Sequence, residues 1–171
     1  WDVSLLNPVN GETLISGKTG KPVIAPPGVY DVRIKPRGLI PVTEKNVYIR
    51  PAEHFRIDMS DSYGRIHVKA IHHWWDFNVY DGDRRIHGGK VSNTLTVPVG
   101  TYTVKLKPGV HEEITFENVA VTGNKTTDVA VTGFGRINVK AIDKWWDFSV
   151  YDGDRRIHGG KVANTLIVPA G

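Results

Sequence analysis

WWDFNVYDGDRRIHGGK, residues 74–90, returns as WWDFSVYDGDRRIHGGK at residues 145–161. Large apolar and polar side chains alternate along it and an Asp-Gly pair interrupts it, so it reads as strand, tight hairpin, strand. Its return means that one structural unit is used repeatedly. Working outward, residues 64–100 overlay residues 135–171 at a shift of 71, with seven differences over 37 positions, among them Asn78 against Ser149 and Thr96 against Ile167. A more divergent copy opens the chain. Trp1, Asp2 and Val3 stand over Trp75, Asp76 and Phe77, and PPGVYDVRIKPRG (26–38) stands over PVGTYTVKLKPG (98–109).

The alternation continues through the middle copy. Ile66 and Val68 alternate with His67 and Lys69, and Tyr102, Val104 and Leu106 with Thr103, Lys105 and Lys107, while no segment keeps apolar positions at a period of 3.6. Six or seven short strands per copy follow, each with one buried and one wet face. Asp81–Gly82–Asp83, Gly88–Gly89, Pro98–Val99–Gly100, Pro108–Gly109 and Gly123–Asn124 read as the reversals between them. The fold expected is all-β: tandem small antiparallel β-sandwich modules of about 71 residues with no significant helix. Residues 1–62 are a first module lacking its opening strand, 63–133 a complete second module, and 134–171 the N-terminal half of a third. Because neighbouring strand residues point to opposite faces, Trp75, Phe77, Val79, Val97, Tyr102 and Val104 are expected in the core, with Trp1, Val3, Leu5, Tyr30, Val32 and Trp146 as equivalents.

Incomplete copies at both ends leave strand edges that a folded protein has to cover. They read as a piece of a longer array, or as halves that complete one another. GRINVKA (135–141) is a spare copy of the opening strand GRIHVKA (64–70), available to the first copy from the same chain or from a neighbouring one.

Composition narrows the function classes. The 22 basic and 18 acidic residues give a net charge of +4 but are interspersed, so no clustered basic face for nucleic acid is expected. There is no cysteine, hence neither a disulfide framework nor a thiolate metal site. No apolar run approaches a membrane span, and WDVSLLNPVNGE is not a signal peptide, so any export signal is expected upstream.

The run TLTVPVGTYTVKLKPG (94–109) resembles the PEGA-type module, a small bacterial surface β-sandwich, with Pro98–Val99–Gly100–Thr101 and Pro26–Pro27–Gly28–Val29 where that family has its naming tetrapeptide. Similar modules are appended to bacterial von Willebrand A-type and other envelope proteins. The resemblance implies an accessory domain of an exported protein, extracellular, at the cell surface or periplasmic, with no catalytic residues to carry over.

Among candidate site residues, Trp74 and Trp145 are expected to point away from the core, either packing between modules or serving as a flat platform for a sugar, with Tyr80 and Tyr151 on the same outer face. Arg84, Arg85 and Lys90, with Arg155 and Arg156 one repeat later, read as an outward charged strand or as a bidentate anion clamp. His87 and His158 are the only histidines kept in both copies; His67, His72 and His73 are replaced by Asn138, Asp143 and Lys144. Nothing in the spacing makes three or four ligands converge on a metal, and Asp81 with Asp83 lacks the longer acidic loop that Ca²⁺ usually takes. No nucleophile stands with a base, so no catalytic residue, cofactor or enzyme activity is expected. The expected role is a structural spacer or an adhesion and assembly domain whose partners are modules of the same array or neighbouring chains. The alternative is a carbohydrate- or polyanion-binding module using the Trp and Arg pairs.

Overall fold

Alternating patterns give strands throughout the computed structural model, which describes residues 1–52, 54–109, 111–143, 145–162 and 164–169. The first copy forms β1 (Asp2–Leu6), β2 (Thr13–Lys18), β3 (Gly28–Lys35) and β4 (Val42–Ile49). A 3₁₀ turn at Ser60–Ser62 leads to the second copy, with β5 (Tyr63–Lys69), β6 (Asp76–Asp81), β7 (Arg84–Lys90), β8 (Thr94–Pro98), β9 (Gly100–Lys107), β10 (Ile114–Val121) and β11 (Thr126–Ala130). The third copy contributes β12 (Phe134–Asn138), β13 (Asp147–Asp152), β14 (Arg155–Lys161) and β15 (Thr165–Pro169). The chain is all-β, and no helix among the described residues is long and apolar enough to cross a membrane.

In the second copy a four-stranded antiparallel sheet, β10-β9-β6-β7, accompanies a three-stranded sheet, β11-β5-β8, in which β11 runs parallel to β5. Their apolar positions join in one buried cluster: Ile66 and Val68 from β5, Phe77 and Val79 from β6, Leu95 and Val97 from β8, Val104 and Leu106 from β9, and Val129 from β11. This is the arrangement that strands of period two reach when one face of each is dried by the other sheet. Among the described residues strand β5 is the only ladder partner of both β8 and β11. The first copy repeats the four-stranded sheet in the corresponding order, β2-β1-β3-β4. Residues 22–26 and 54–58, at the places of β8 and β11, form no strand there. In the third copy β12 pairs with β15 as β5 pairs with β8, so the donation of this strand to the first copy within one chain is not the arrangement adopted.

The β6–β7 hairpin closes on the pair Asp81 and Arg84, leaving Gly82 and Asp83 as a two-residue loop with Gly82 at φ 57°. That left-handed value at the first loop position is why glycine stands there. Gly88–Gly89 is not a reversal, contrary to expectation, but lies inside β7. A Cβ on Gly88 would stand 2.5 Å from both Asn78 Oδ1 and Arg85 Nη2, so the residue is small because the Arg85 side chain crosses over it. The chain turns instead at residues 91–93, where the Asn93 amide donates to the Lys90 carbonyl at 2.8 Å. The Pro-x-Gly-x-Tyr motif has a local reason: the Tyr30 hydroxyl donates to the Pro26 carbonyl and Tyr102 to Pro98, both at 2.8 Å, tying each strand start back on itself.

Trp75, Phe77, Val79, Val97, Tyr102 and Val104 are buried, as are Leu5, Tyr30 and Val32, while Val3 is half-buried. The expectation fails for Trp1 and Trp146, which are 53% and 58% exposed against 7% for Trp75. Trp75 has His72 stacked on it at 5.9 Å and Phe134 edge-on at 5.0 Å. Trp1 has the edge contact to Tyr63 at 5.9 Å, and Trp146 stands before the β13–β14 hairpin, which pairs with no further strand among the described residues.

Surface ion pairs recur by copy: Asp2 with Lys18, Asp76 with Lys90 (2.7 Å) and Asp147 with Lys161 (2.8 Å). Such exposed pairs hold little energy each. Another joins β11 to β5, where Asp128 accepts from Lys69 Nζ at 2.6 Å and lies 3.1 Å from His67 Nδ1. The Lys69 hydrogen bond above all, and His67 after it, hold the Asp128 carboxyl below its ordinary value. A depressed folded pKa means that the unfolded chain binds more protons, so this stabilisation is present above about pH 4 and is lost as pH falls through the folded value. Asp128→Asn should therefore unfold more easily than wild type at pH 7, with the gap closing in acid. Urea titrations from pH 7 to pH 2 that stayed parallel would refute this.

Candidate functional site

Trp74 does not belong to a strand. It sits in the turn before β6, 63% exposed, with its amide donating to His72 Nδ1 at 3.3 Å. His72 and His73 stack at 5.6 Å, and His73 meets Trp74 at 5.1 Å. From His72 the file of rings continues through Trp75 to Phe134, then to His111 at 5.6 Å and to His158 at 5.7 Å. It thus runs from the second copy into the third. His111 Nε2 lies 3.0 Å from the Ile167 carbonyl, and Arg136 Nη2 donates to the Ile71 carbonyl at 2.8 Å, across the same junction. Between the first and second copies, Trp1 packs edge-on against Tyr63, whose hydroxyl donates to the Ile40 carbonyl at 2.7 Å. Burial raises the Tyr63 pKa, which keeps the hydroxyl a proton donor. Tyr63 and Phe134 occupy equivalent positions just before the GRI triplet, so the two junctions share one contact: the tryptophan of one copy against the opening aromatic of the next.

Tyr80 lies on the outer face of β6 with Lys105 Nζ 5.5 Å from its ring centre, and Lys105 is also paired to Glu113 at 3.3 Å. Beside it Arg85 Nε donates to Asn78 Oδ1 at 2.7 Å. Arg84 instead caps the hairpin, 3.6 Å from Asp81. His87 stands opposite the inward-facing Val79 and accepts the Gly88 amide on Nδ1 at 2.8 Å. A bulge at Val79/Tyr80 sets this uneven pairing. Asp76 and Asp81 are five extended steps apart, about 17 Å. Trp74 therefore stands beyond one end of β6 and Arg84 at the other, and the expected joint Trp–Arg site is not assembled.

The third copy is alike. Trp145 is mostly exposed, its amide donating to Asp143 Oδ1 at 2.9 Å, and Tyr151, Arg155 and Arg156 are exposed as well. His158 accepts the Gly159 amide at 2.7 Å and ends the ring file, so its role is shared with a junction rather than with the arginines. Lys144 lies outside the described residues. Among the described residues no three His, Asp or Glu side chains gather as a metal ion requires, and every buried side-chain nitrogen or oxygen has a partner. The junction residues Tyr63, His111 and Phe134 were missed by the sequence reading, although the aromatic preceding both GRI triplets was visible as a repeat feature. The chain matches no family model, no curated protein and no solved structure.

Proposed function

We infer that the chain is a non-catalytic series of PEGA-like β-sandwich modules in a bacterial cell-envelope or secreted protein, serving as a spacer or as an adhesion and assembly element. The observation that carries this is the repeated joint, Trp1 on Tyr63 and Trp75 on Phe134, which links each copy to the next through an aromatic edge contact. Aromatic pairs of this geometry add about 0.5–1.5 kcal/mol beyond burial, enough to bias the orientation of neighbouring copies. The bacterial and extracytoplasmic part rests on the resemblance of the Pro-x-Gly-x-Tyr runs. Small-angle scattering should give a single well-defined maximum dimension for wild type and a broader distribution for the Tyr63→Ala, Phe134→Ala double variant. Identical profiles would sink the reading of these contacts as joints.

A second reading, polysaccharide binding, is favoured by the matching exposure of Trp74 and Trp145. It calls for retention on a polysaccharide affinity gel that Trp74→Ala weakens and added salt leaves in place. Since the arginines stand apart from these rings, salt-sensitive retention alone would point to unspecific charge binding.

A further inference from the structure

The two joints are not chemically alike. Across the second, His111 and His158 meet with ring centres 5.7 Å apart and planes at 71°. At the first, Ile40 stands at the place of His111, which leaves His87, the counterpart of His158, without this partner. His111 reaches the pair from the segment after β9, beside Phe134, and His158 from β14. A carbonyl only accepts, so His111 donates from Nε2 to the Ile167 oxygen at 3.0 Å and keeps that bond whether or not Nδ1 also carries a proton. His158 has a partner in either state. Its bare Nδ1 accepts the Gly159 amide at 2.7 Å, and a protonated Nδ1 donates to the Gly159 carbonyl, 3.1 Å away. Each ring can therefore be charged without losing its partner. What opposes the second proton is the first, because two like charges would then face each other across the joint.

No counter-ion is paired to either ring. Among the described residues His67 is the only imidazole in an ion pair. On the segment of His111, Glu113 is held by Lys105 at 3.3 Å and Glu112 is exposed. β12 brings Phe134 and a cation, Arg136, while β15 brings the Ile167 carbonyl. β13 places the apolar Val150 opposite His158, and its Asp147 is already paired with Lys161 at 2.8 Å. On β14 itself Arg156 crosses over Gly159, a further positive charge. His72 and His73 lie at the other end of the ring file, beyond Trp75. Imidazole is the side chain whose charge ordinarily changes in the physiological pH range. The closed joint holds one proton on this pair where the open joint holds two, so opening is favoured as pH falls through that range.

Resting on the reading of these contacts as joints, we propose that the second joint is acid-sensitive: protonation of both His111 and His158 between about pH 7.5 and pH 5.5 opens it while the copies on either side stay folded. The test is small-angle scattering of the full chain at those two pH values and equal ionic strength, with circular dichroism alongside. Wild type should give one well-defined maximum dimension at the higher pH and a broader distribution at the lower, the open fraction growing on the order of tenfold, with an unchanged spectrum. His111→Gln keeps a donor at the place of Nε2 and His158→Asn an acceptor at that of Nδ1, each without a titrating ring. Either variant should stay narrow in acid, and should one of them open the joint already at the higher pH, the other decides. Wild-type profiles that coincide at the two pH values overturn the proposal. Acid broadening of both variants overturns it too and passes the effect to His72 and His73, and a lost spectrum replaces it with plain unfolding. The Tyr63→Ala, Phe134→Ala variant at the higher pH keeps the two readings apart. If its profile is broader than that of wild type, a failed acid response leaves the joints standing; if the two are the same, the joints have failed as well.

Discussion

Phe77→Ala should destabilise the second copy by about 3–5 kcal/mol, a large part of the stability a domain of this size has. Phe77 is fully inaccessible on β6, flanked by Leu106 on β9 and by Gly89 on β7. Glycine on one side offers no side chain that can swing into the space, so the cavity left by the ring should stay largely open, the condition under which truncation costs most. The same strand supplies the control. Asp76 is exposed and paired only to Lys90, and Asp76→Ala should change the unfolding free energy by less than about 1 kcal/mol. Urea unfolding followed by circular dichroism measures both. A Phe77→Ala midpoint equal to that of wild type would mean that the inward face of β6 has been assigned to the wrong residues.

The next largest effect separates two tryptophans with the same neighbours. Trp75→Ala should cost about 3–5 kcal/mol, whereas Trp146→Ala, in the same WWDF sequence, should stay within about 0.5 kcal/mol. Trp75 is held between His72 and Phe134 at the edge of a closed sandwich, while Trp146 is more than half exposed beside an isolated β13–β14 hairpin. Phe134→Ala should expose Trp75 and shift its fluorescence to the red. Equal losses for Trp75→Ala and Trp146→Ala would show that the third copy buries its tryptophan as the second does.

Much of the fold was legible because strand faces are local information. The alternation of Phe77 and Val79 with Asn78 and Tyr80, and of Tyr102 and Val104 with Thr103 and Lys105, marked the buried side correctly, and Asp81–Gly82 marked the hairpin. The candidate site was less legible. Trp74, Arg84 and Arg85 are near in sequence, but an extended strand carries its ends apart, and consecutive residues such as Arg84 and Arg85 turn to different surroundings. Gly88–Gly89 looked like a reversal because glycine permits one. Inside β7 it serves the opposite purpose, making room for the Arg85 side chain on a continuing strand.

The sequence by itself determined the repeat, the strands of the second copy, their inward faces and their tightest turn, since each depends on residues within a few positions of one another. Tertiary structure alone decided which equivalents share that fate. Residues 22–26 and 54–58 have the places of β8 and β11 yet form no strand, and Trp1 and Trp146 have the place of Trp75 yet remain exposed. A ladder needs a partner strand and burial needs a facing layer, and both come from segments tens of residues away: β5 for the ladders, Phe134 and the opposite sheet for the tryptophan.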